Sequence, residues 1–414
     1  MRPALVGPSI DGGASASVER SAPLMQLVVV FICPSVALFT KNEEMNKHKI
    51  LCVVGTRPEA IKMAPVILAL KEHPAFECRV LATAQHRNLL DQVLRVFEIE
   101  PDIDLDIMRP DQALAALTAR LLLALDRVLQ VEKPDVVLAQ GDTTTVMAVA
   151  LASFYLQIPF GHVEAGLRTW NMGYPFPEEM NRVVTCKLTK WHFAPTENAR
   201  QNLLKEGVGE GNIFVTGNTV IDALLSVAKR EIPLPFNLDA SKRLILVTAH
   251  RRENFGAPFR EICRAILTLA EHNKDVHVVY PVHPNPNVCE TAYQVLGHHS
   301  RITLCEPLDY LPFVAAMKQA FLILSDSGGV QEEAPALGKP VLVLRNETER
   351  PEAVAEGVAK LVGADYDRII GEAQHLLDDA AAYRRMARGV SPYGDGRAAS
   401  RIALVLHDYF AACV

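Results

Sequence analysis

The chain reads as α/β, with two doubly wound parallel sheets facing each other across a cleft. Three observations predict this. From residue 49 onward, short apolar runs recur without polar alternation, each run is followed by a helical stretch, and the alternation pauses once near residue 215 before it resumes. Aliphatic runs of about four to eight residues without alternation are strands buried on both faces, and strands separated by helices build βαβ units.

In the first half the strand-like runs are "KILCVVG", "CRVLATA", "DVVLAQGD" and "IPFGHVEA", interleaved with helical stretches such as "PEAIKMAPVILALKEH" and "TVMAVALASFYLQ". The segment 215–243 ends in a Pro-containing, partly charged tail, "REIPLPFNLDASKR", and reads as a domain connector. The second half resumes with "RLILVTAH", "VHVVYPVH", "RITLCEP", "FLILSDS" and "KPVLVLR". Two such domains in tandem imply a cleft at the carboxyl ends of both sets of strands. The last helix, "GRAASRIALVLHDYF", either completes the second domain or crosses back onto the first.

Composition narrows the partners. At 414 residues the chain has room for two cores, and 49% apolar with 22% charged residues is ordinary for a soluble globular protein. A net charge of −6 gives no reason to expect nucleic acid or an anionic membrane. An anionic small ligand would have to be held by a local cluster of Arg, Lys and backbone amides. The eight cysteines (33, 52, 78, 186, 263, 289, 305 and 413) form no CxxC and no metal-like spacing, so they read as reduced thiols of a cytosolic protein.

The first 46 residues stand apart. Residues 1–20 are Gly/Ser/Pro-rich and without periodicity, which reads as disorder. Residues 24–39, "LMQLVVVFICPSVALF", are shorter than the roughly twenty residues a membrane span needs, and they fit a signal peptide poorly. The expected reading is an upstream extension before a natural start at Met45. A non-cleaved apolar anchor is the alternative.

Functional residues of an open α/β sheet lie just after strand C-termini, and the polar residues here do so. "GTRPEAIK", "QGDTTT" and "HVEAGLRT" follow strands of the first half, and "TAHRREN", "PVHPNPN" and "SDSGG" follow strands of the second. One such loop alone is a helix cap more often than a site, but six rich in Arg, Asp, Glu or His point to a single cleft site. Arg57 and Lys62 flank the start of the first helix, where Arg57 is either a surface cation or a bidentate fork for phosphate. Asp142 is an N-cap or an acid in the cleft. Glu164 ends an apolar strand, where a carboxylate needs a partner, and Arg168 stands four residues on. Glu178 and Glu179 fit the first turn of a helix as well as they fit a site.

In the second half, His250 closes a buried strand and meets Arg251 and Arg252, which makes it a proton-transfer or phosphate-binding group. His283 equally fits a turn. Ser327, Gly328 and Gly329 present amides at the positive end of a helix, a ready anion site. Glu333 lies roughly 6–9 Å further along at about 1.5 Å per residue, a span that suits diphosphate to ribose. Arg350 follows the next strand. There is no GxGxxG opening a βα unit, no GxxxxGK, no HExxH and no His/Cys metal set. No metal or cofactor is expected.

The motifs "GTRPEAIKMAPV", "QHRNLLDQVL", "GDTTT", "GHVEAGLRT", "PEEMNR", "TGNTVIDAL", "TAHRREN", "PVHPNPN", "DSGGVQEEAPALGKPVLVLR" and "TERPEA" occur in one order over about residues 48–410. In this the chain resembles the non-hydrolysing UDP-N-acetylglucosamine 2-epimerases. The resemblance implies a GT-B-like pair of Rossmann-like domains, a cytoplasmic homodimer, and interconversion of UDP-GlcNAc and UDP-ManNAc for cell-surface polysaccharide. It implies domains at 47–217 and 218–394, a C-terminal helix near 395–410 crossing back to the first, and an extension at 1–46.

By the same resemblance Asp142, Glu164 and Glu178 are catalytic carboxylates and His250 assists departure of UDP. Arg57, Lys62, Ser327, Gly328, Gly329, Glu333 and Arg350 bind substrate, with Phe313 against the uracil. The reaction eliminates UDP to give 2-acetamidoglucal and adds it back, without a cofactor. A second UDP-GlcNAc binds some members near residues matching Gln85, His86 and Gln112. Asp111 stands where some of those members have Arg, and residues 1–44 have no family counterpart. A hydrolysing epimerase and a glycosyltransferase of the same fold are the rival readings.

Overall fold

The computed structural model describes residues 47–83, 87–107, 109, 112–239 and 241–412. The expectations for the N-terminal extension, its apolar run and the start at Met45 lie outside the described residues, as do Gln85, His86 and Asp111.

The first sheet holds β1 (His48–Val54), β2 (Phe76–Ala82), β3 (Ile103–Asp104), β4 (Val136–Gln140), β5 (Phe160–Val163), β6 (Trp191–Ala194) and β7 (Ile213–Val215). Its spatial order is β3-β2-β1-β4-β5-β6-β7, and every described pairing is parallel. Its helices are α1 (Arg57–Glu72), α2 (Arg87–Val96), α3 (Leu114–Glu132), α4 (Thr144–Tyr155), α5 (Glu178–Leu188) and α6 (Glu197–Lys205), followed by α7 (Thr219–Ala228).

The second sheet holds β8 (Arg243–Thr248), β9 (Val276–Pro281), β10 (Ile302–Cys305), β11 (Ala320–Ser325), β12 (Val341–Val343) and β13 (Ala359–Leu361), in the order β10-β9-β8-β11-β12-β13. Its helices are α8 (Ala257–His272), α9 (Pro286–Leu296), α10 (Tyr310–Gln319), α11 (Gly328–Ala336), α12 (Pro351–Ala355), α13 (Tyr366–Asp378), α14 (Ala380–Met386) and α15 (Ala398–Ala411).

Both sheets therefore reverse direction at one point, between β1 and β4 and between β8 and β11. Loops diverge at such a switch point and leave a crevice at the strand ends. The central strands are buried along their length, as their unbroken apolar runs require. The short strands β3, β6, β7 and β13 carry too few residues for such a run to register. The segment expected to be a connector contains α7, and only its tail is irregular.

One apolar core runs from β1 through α7 to β8 and β11, with Val54, Ile221, Leu224, Leu246 and Ile323 all buried in it. The terminal helix α15 adds Ile402 and Leu406 to that core, stacks Phe410 on His48 at 3.8 Å, and sets Tyr409 edge-on to Trp191. Asp222 of α7 accepts from the amides of Ala398 and Ala399, closing the open start of α15. The segments entering α7 and α15 touch. Asn218 N–H donates to Tyr393 O at 2.6 Å, and a Cβ on Gly217 (φ 92°) would lie 3.3 Å from Cα of Gly394. Only glycine takes that backbone angle at such an approach without strain.

Candidate active site

At the tip of β1, Thr56 caps α1 and Glu59 returns the favour. The Glu59 carboxylate accepts from the amides of Gly55 at 2.6 Å and Thr56 at 3.0 Å. Burial raises the Glu59 pKa to about 7 against these hydrogen bonds, and the charge of Asp142 adds to the rise. One turn into α1, Lys62 reaches across to Glu164 at the end of β5, Nζ to Oε1 at 2.5 Å. Burial opposes the charge on Lys62, but Glu164 and Glu332 outweigh it and hold its pKa above the usual lysine value.

Glu164 sits at φ 65° in the sharp turn that leaves β5, buried, and accepts from three side chains: Lys62, Asn218 at 2.9 Å and Gln140. Burial alone would raise its pKa. Lys62, then Arg350 and the Asn218 amide, overcome that and hold it below the ordinary range. The same Asn218 amide group donates to Glu332 Oε2 at 3.2 Å, and Arg350 Nε pairs with Glu332 Oε1. Lys62, Glu164, Asn218, Glu332 and Arg350 thus form one chain of charge-assisted bonds from the first sheet's tips to the second's.

Asp142, after β4, accepts from Arg182 at 2.8 Å, and its backbone carbonyl takes the Asn181 amide at 2.8 Å. Burial raises the Asp142 pKa against Arg182, with Glu164 and then Glu178 adding their charge. Arg182 is shared with Glu179, whose other oxygen holds the amides of Thr169 and Trp170 at 3.1 and 2.9 Å. Glu179 is therefore committed to the loop. Glu178, half-buried beside it, makes no hydrogen bond among the described residues and acts on Asp142 only through its charge.

In the second sheet, β11 registers Ser325 opposite Thr248, with their hydroxyls 2.7 Å apart. That register places the fully buried Asp326 beside the start of "HRREN", where its Oδ2 takes the amides of His250 and Arg251, each at 2.8 Å. Helix α11 opens at Gly328 without a side-chain cap from Ser327, whose own amide donates to Ser325 Oγ at 3.0 Å. The expected anion site is left with the amides of Gly328 and Gly329, and a Cβ on Gly328 would stand 4.0 Å from the Arg251 guanidinium. Five residues on, Glu333 is buried with no hydrogen bond among the described residues. Burial, then the charge of Glu332, raises its pKa to about 8, opposed by Lys62. The neighbouring Tyr310 hydroxyl is buried and unpartnered among the described residues. Burial and then Glu333 push its pKa up, while Arg57 opposes.

Lys62, Glu164 and Arg350 thus share one network, Asp142 and Glu178 interact, and His250 adjoins the turn at 327–329. Arg57 and Glu333 flank Tyr310. Phe313 lies half-buried on α10 against the apolar core. Gln112 accepts from Arg120. One expectation is corrected. Arg168 does not pair with Glu164 but makes a two-bond ion pair with Glu206 at 2.7 and 2.8 Å. Beyond the turn at Glu164 the chain brings Arg168 to Glu206, just after α6, and Lys62 takes its place at Glu164. His283 makes a local turn bond from Asn285 N at 3.2 Å and stacks on His250 with centroids 5.4 Å apart. Asn218, Glu332, Arg182 and Asp326 do not stand out in the sequence as site residues. Asn218 had a usable signal, since it sits between a glycine and an apolar helix directly at the connector.

Two Rossmann-like sheets with carboxylates on one set of tips and an open helix N-terminus on the other define a GT-B-type nucleotide-binding enzyme. The profile of the UDP-N-acetylglucosamine 2-epimerase family matches residues 68–407. The UDP-N-acetylglucosamine 2-epimerase of Salmonella typhimurium (strain LT2) is 54% identical over 372 residues, 87% of this chain and 99% of its own. The crystal structure of the Neisseria meningitidis UDP-GlcNAc 2-epimerase bound to UDP-GlcNAc has a TM-score of 0.79 at 49% identity, covering 87% of this chain and 100% of that one. The Methanocaldococcus jannaschii enzyme in complex with UDP-GlcNAc and UDP has a TM-score of 0.69 at 35% identity, over 87% and 99%. The chain belongs to the UDP-N-acetylglucosamine 2-epimerase family.

Proposed function

We propose that the protein interconverts UDP-GlcNAc and UDP-ManNAc without hydrolysis, by anti elimination and re-addition of UDP. The C2 hydrogen is not next to a carbonyl, so direct removal is slow. Breaking the C1–O bond first, with its electron pair leaving on UDP, makes C2 acidic. Loss of the C2 proton to a carboxylate then gives 2-acetamidoglucal. Return of a proton to the opposite face of C2 and of the phosphate oxygen to C1 completes inversion.

The observation that carries this reading is the placement of Asp142 and Glu164 at the ends of the neighbouring strands β4 and β5, where burial pushes the Asp142 carboxyl up while Lys62 holds the Glu164 carboxyl down. Both stand on first-sheet tips, and Asn218 ties Glu164 to Glu332 of α11. In the proposed roles Asp142 and Glu178 exchange the C2 proton, and Glu164, held ionised by Lys62, stabilises positive charge building at C1. The α11 amides, Arg57 and Arg350 hold the diphosphate, His250 assists its departure, Phe313 backs the uracil, and Glu333 accepts from the ribose hydroxyls. The relatives whose structures contain UDP-GlcNAc support this choice of substrate.

The proposal extends to a cytoplasmic homodimer that supplies ManNAc units for polysaccharide, with domains at 47–217 and 218–394 and α15 returning to the first. A second UDP-GlcNAc near Gln112 is a further expectation of the resemblance. Incubation with UDP-GlcNAc in heavy water tests the reading. Deuterium at C2 with UDP still attached is expected. Free ManNAc with UDP would favour the hydrolysing rival, and no exchange without an acceptor would favour a transferase.

A further inference from the structure

We infer that Asp326 is a positioning residue for His250, holding the imidazole with Nδ1 turned inward and Nε2 presented to the cleft. This rests on the reading above in which His250 assists the leaving phosphate.

The geometry is specific. Asp326 is fully buried, and its two oxygens are divided between two tasks. Oδ2 is occupied by the amides of His250 and Arg251 at 2.8 Å and the Asn254 side chain at 3.3 Å, which fixes the backbone that carries the ring. Oδ1 has no hydrogen bond among the described residues and faces His250 Nδ1 at 3.5 Å. A buried carboxylate oxygen without a donor is costly, and the nearby ring nitrogen is the group able to supply one. Such contacts are commonly long in unliganded enzymes and tighten when substrate binds.

His283 stacks on the ring at an interplanar angle of 11°, which sets the plane of the imidazole, and the contact with Asp326 sets which nitrogen faces inward. The Tyr280 hydroxyl donates to Ala249 O at 2.6 Å, holding the preceding residue as well. With Nδ1–H committed to Asp326, Nε2 takes up a proton from solvent, the carboxylate stabilises the resulting imidazolium, and Nε2–H donates to the leaving phosphate oxygen as negative charge builds on UDP. The charged and titratable groups that act on this ring are Asp326, His283 and Arg251. Burial, the largest influence, favours the neutral ring, His283 and Arg251 reinforce it, and Asp326 opposes it. Asp326 immediately precedes the turn at 327–329, but among the described residues its carboxylate bonds only to the His250–Asn254 segment.

The test is ¹⁵N NMR of the histidine rings in the full chain, with His250→Gln used to assign the His250 signals, alongside turnover of UDP-GlcNAc. In the wild type, neutral His250 is expected as the Nδ1–H tautomer. In Asp326→Asn the ring's titration midpoint should fall by about one pH unit as its opposite charge disappears. The turnover number should fall roughly ten- to a hundredfold, with its pH profile displaced in the same direction. Adding Asp326→Asn to His250→Gln should cost nothing further, because the two act as one unit. An Nε2–H tautomer in the wild type overturns the inference, and that measurement stands even if Asp326→Asn does not fold. Unchanged titration in a folded Asp326→Asn protein, or multiplying losses in the double variant, overturns it too. Failure of the wild type to exchange the C2 hydrogen would instead sink the epimerase reading, while the ring signals still report on the Asp326–His250 contact.

Discussion

Asn218 donates its side-chain amide to Glu164 at 2.9 Å and to Glu332 at 3.2 Å, so a single neutral group keeps two buried carboxylates from facing each other. Its own carbonyl oxygen caps α7 through Val220 N at 3.0 Å. The two donations require the amide, while the cap needs only a side-chain oxygen.

Asn218→Ala is therefore expected to destabilise the fold by about 1–3 kcal/mol, because it strips a cap and leaves carboxylate oxygens short of a donor. Asn218→Asp should be worse for turnover than alanine, since it adds a third carboxylate to the cluster. Urea unfolding and UDP-GlcNAc turnover on both variants check this. Equal activity in wild type and Asn218→Asp would show that the bridge is incidental.

Lys62 is the cation that keeps Glu164 ionised. A carboxylate whose folded pKa is depressed contributes stability that is present above its unfolded pKa and lost as pH falls through the folded one. Lys62→Met removes the main cause of that depression and leaves a buried charge unpaired, at a cost of about 3–5 kcal/mol. The acid limb of the stability profile should move to higher pH, and turnover at neutral pH should collapse. Thermal melting across pH 4 to 8 reads the first effect. An acid limb that stays where it is in Lys62→Met would mean that Glu164 owes its charge to Arg350 and Asn218 instead.

Much of this architecture can be read from the residues, and the reasons for the gaps are physical. Strands such as β1 and β8 declare themselves because burial on both faces forces an unbroken apolar run. Two- and three-residue strands such as β3 and β13 do not, because their pairing comes from neighbours distant in sequence. The six polar strand ends likewise advertise a site. What they leave open is who pairs with whom. Arg168 is close to Glu164 in sequence, yet the left-handed turn at Glu164 carries it to Glu206, and the true partner, Lys62, is 102 residues away. Of the adjacent acids, Glu179 is spent on a loop while the Glu178 side chain makes no hydrogen bond among the described residues, a difference that no local pattern encodes.

The Arg168–Glu206 pair gives the control case. It is bidentate, with Arg168 nearly enclosed, and it lies beside Cys186; its charge reaches Glu179, but it makes no hydrogen bond to Asp142, Glu164 or His250. Arg168→Met should lower stability by about 1–3 kcal/mol, since the half-buried Glu206 loses its main partner but keeps Cys186 and Lys187 nearby. The Michaelis constant and turnover number of the protein that remains folded should stay near wild type. A large change in either, measured well below the melting temperature, would place Arg168 in the working site.

Glu333 supplies the most direct pH prediction. Its carboxyl is buried with no donor of its own among the described residues, and its pKa is raised to about 8, so near neutrality it is largely protonated before ligand binds. Ribose hydroxyls donate best to the ionised form, so binding favours carboxylate over acid. A ligand that prefers the deprotonated state binds more tightly as pH rises through the free-state pKa. UDP affinity should therefore climb between about pH 7 and 9, by no more than tenfold per pH unit, the limit for one linked proton. Glu333→Gln should bind UDP more weakly at pH 9 and show a flat profile. A uridine diphosphate lacking both ribose hydroxyls should lose the same dependence on the unaltered protein, because the linkage requires the hydroxyls and the carboxylate together. Calorimetric titration at several pH values, in buffers of differing ionisation enthalpy, would also count the proton released. If Glu333→Gln retains the slope, the proton belongs to another group and Glu333 is not the ribose acceptor.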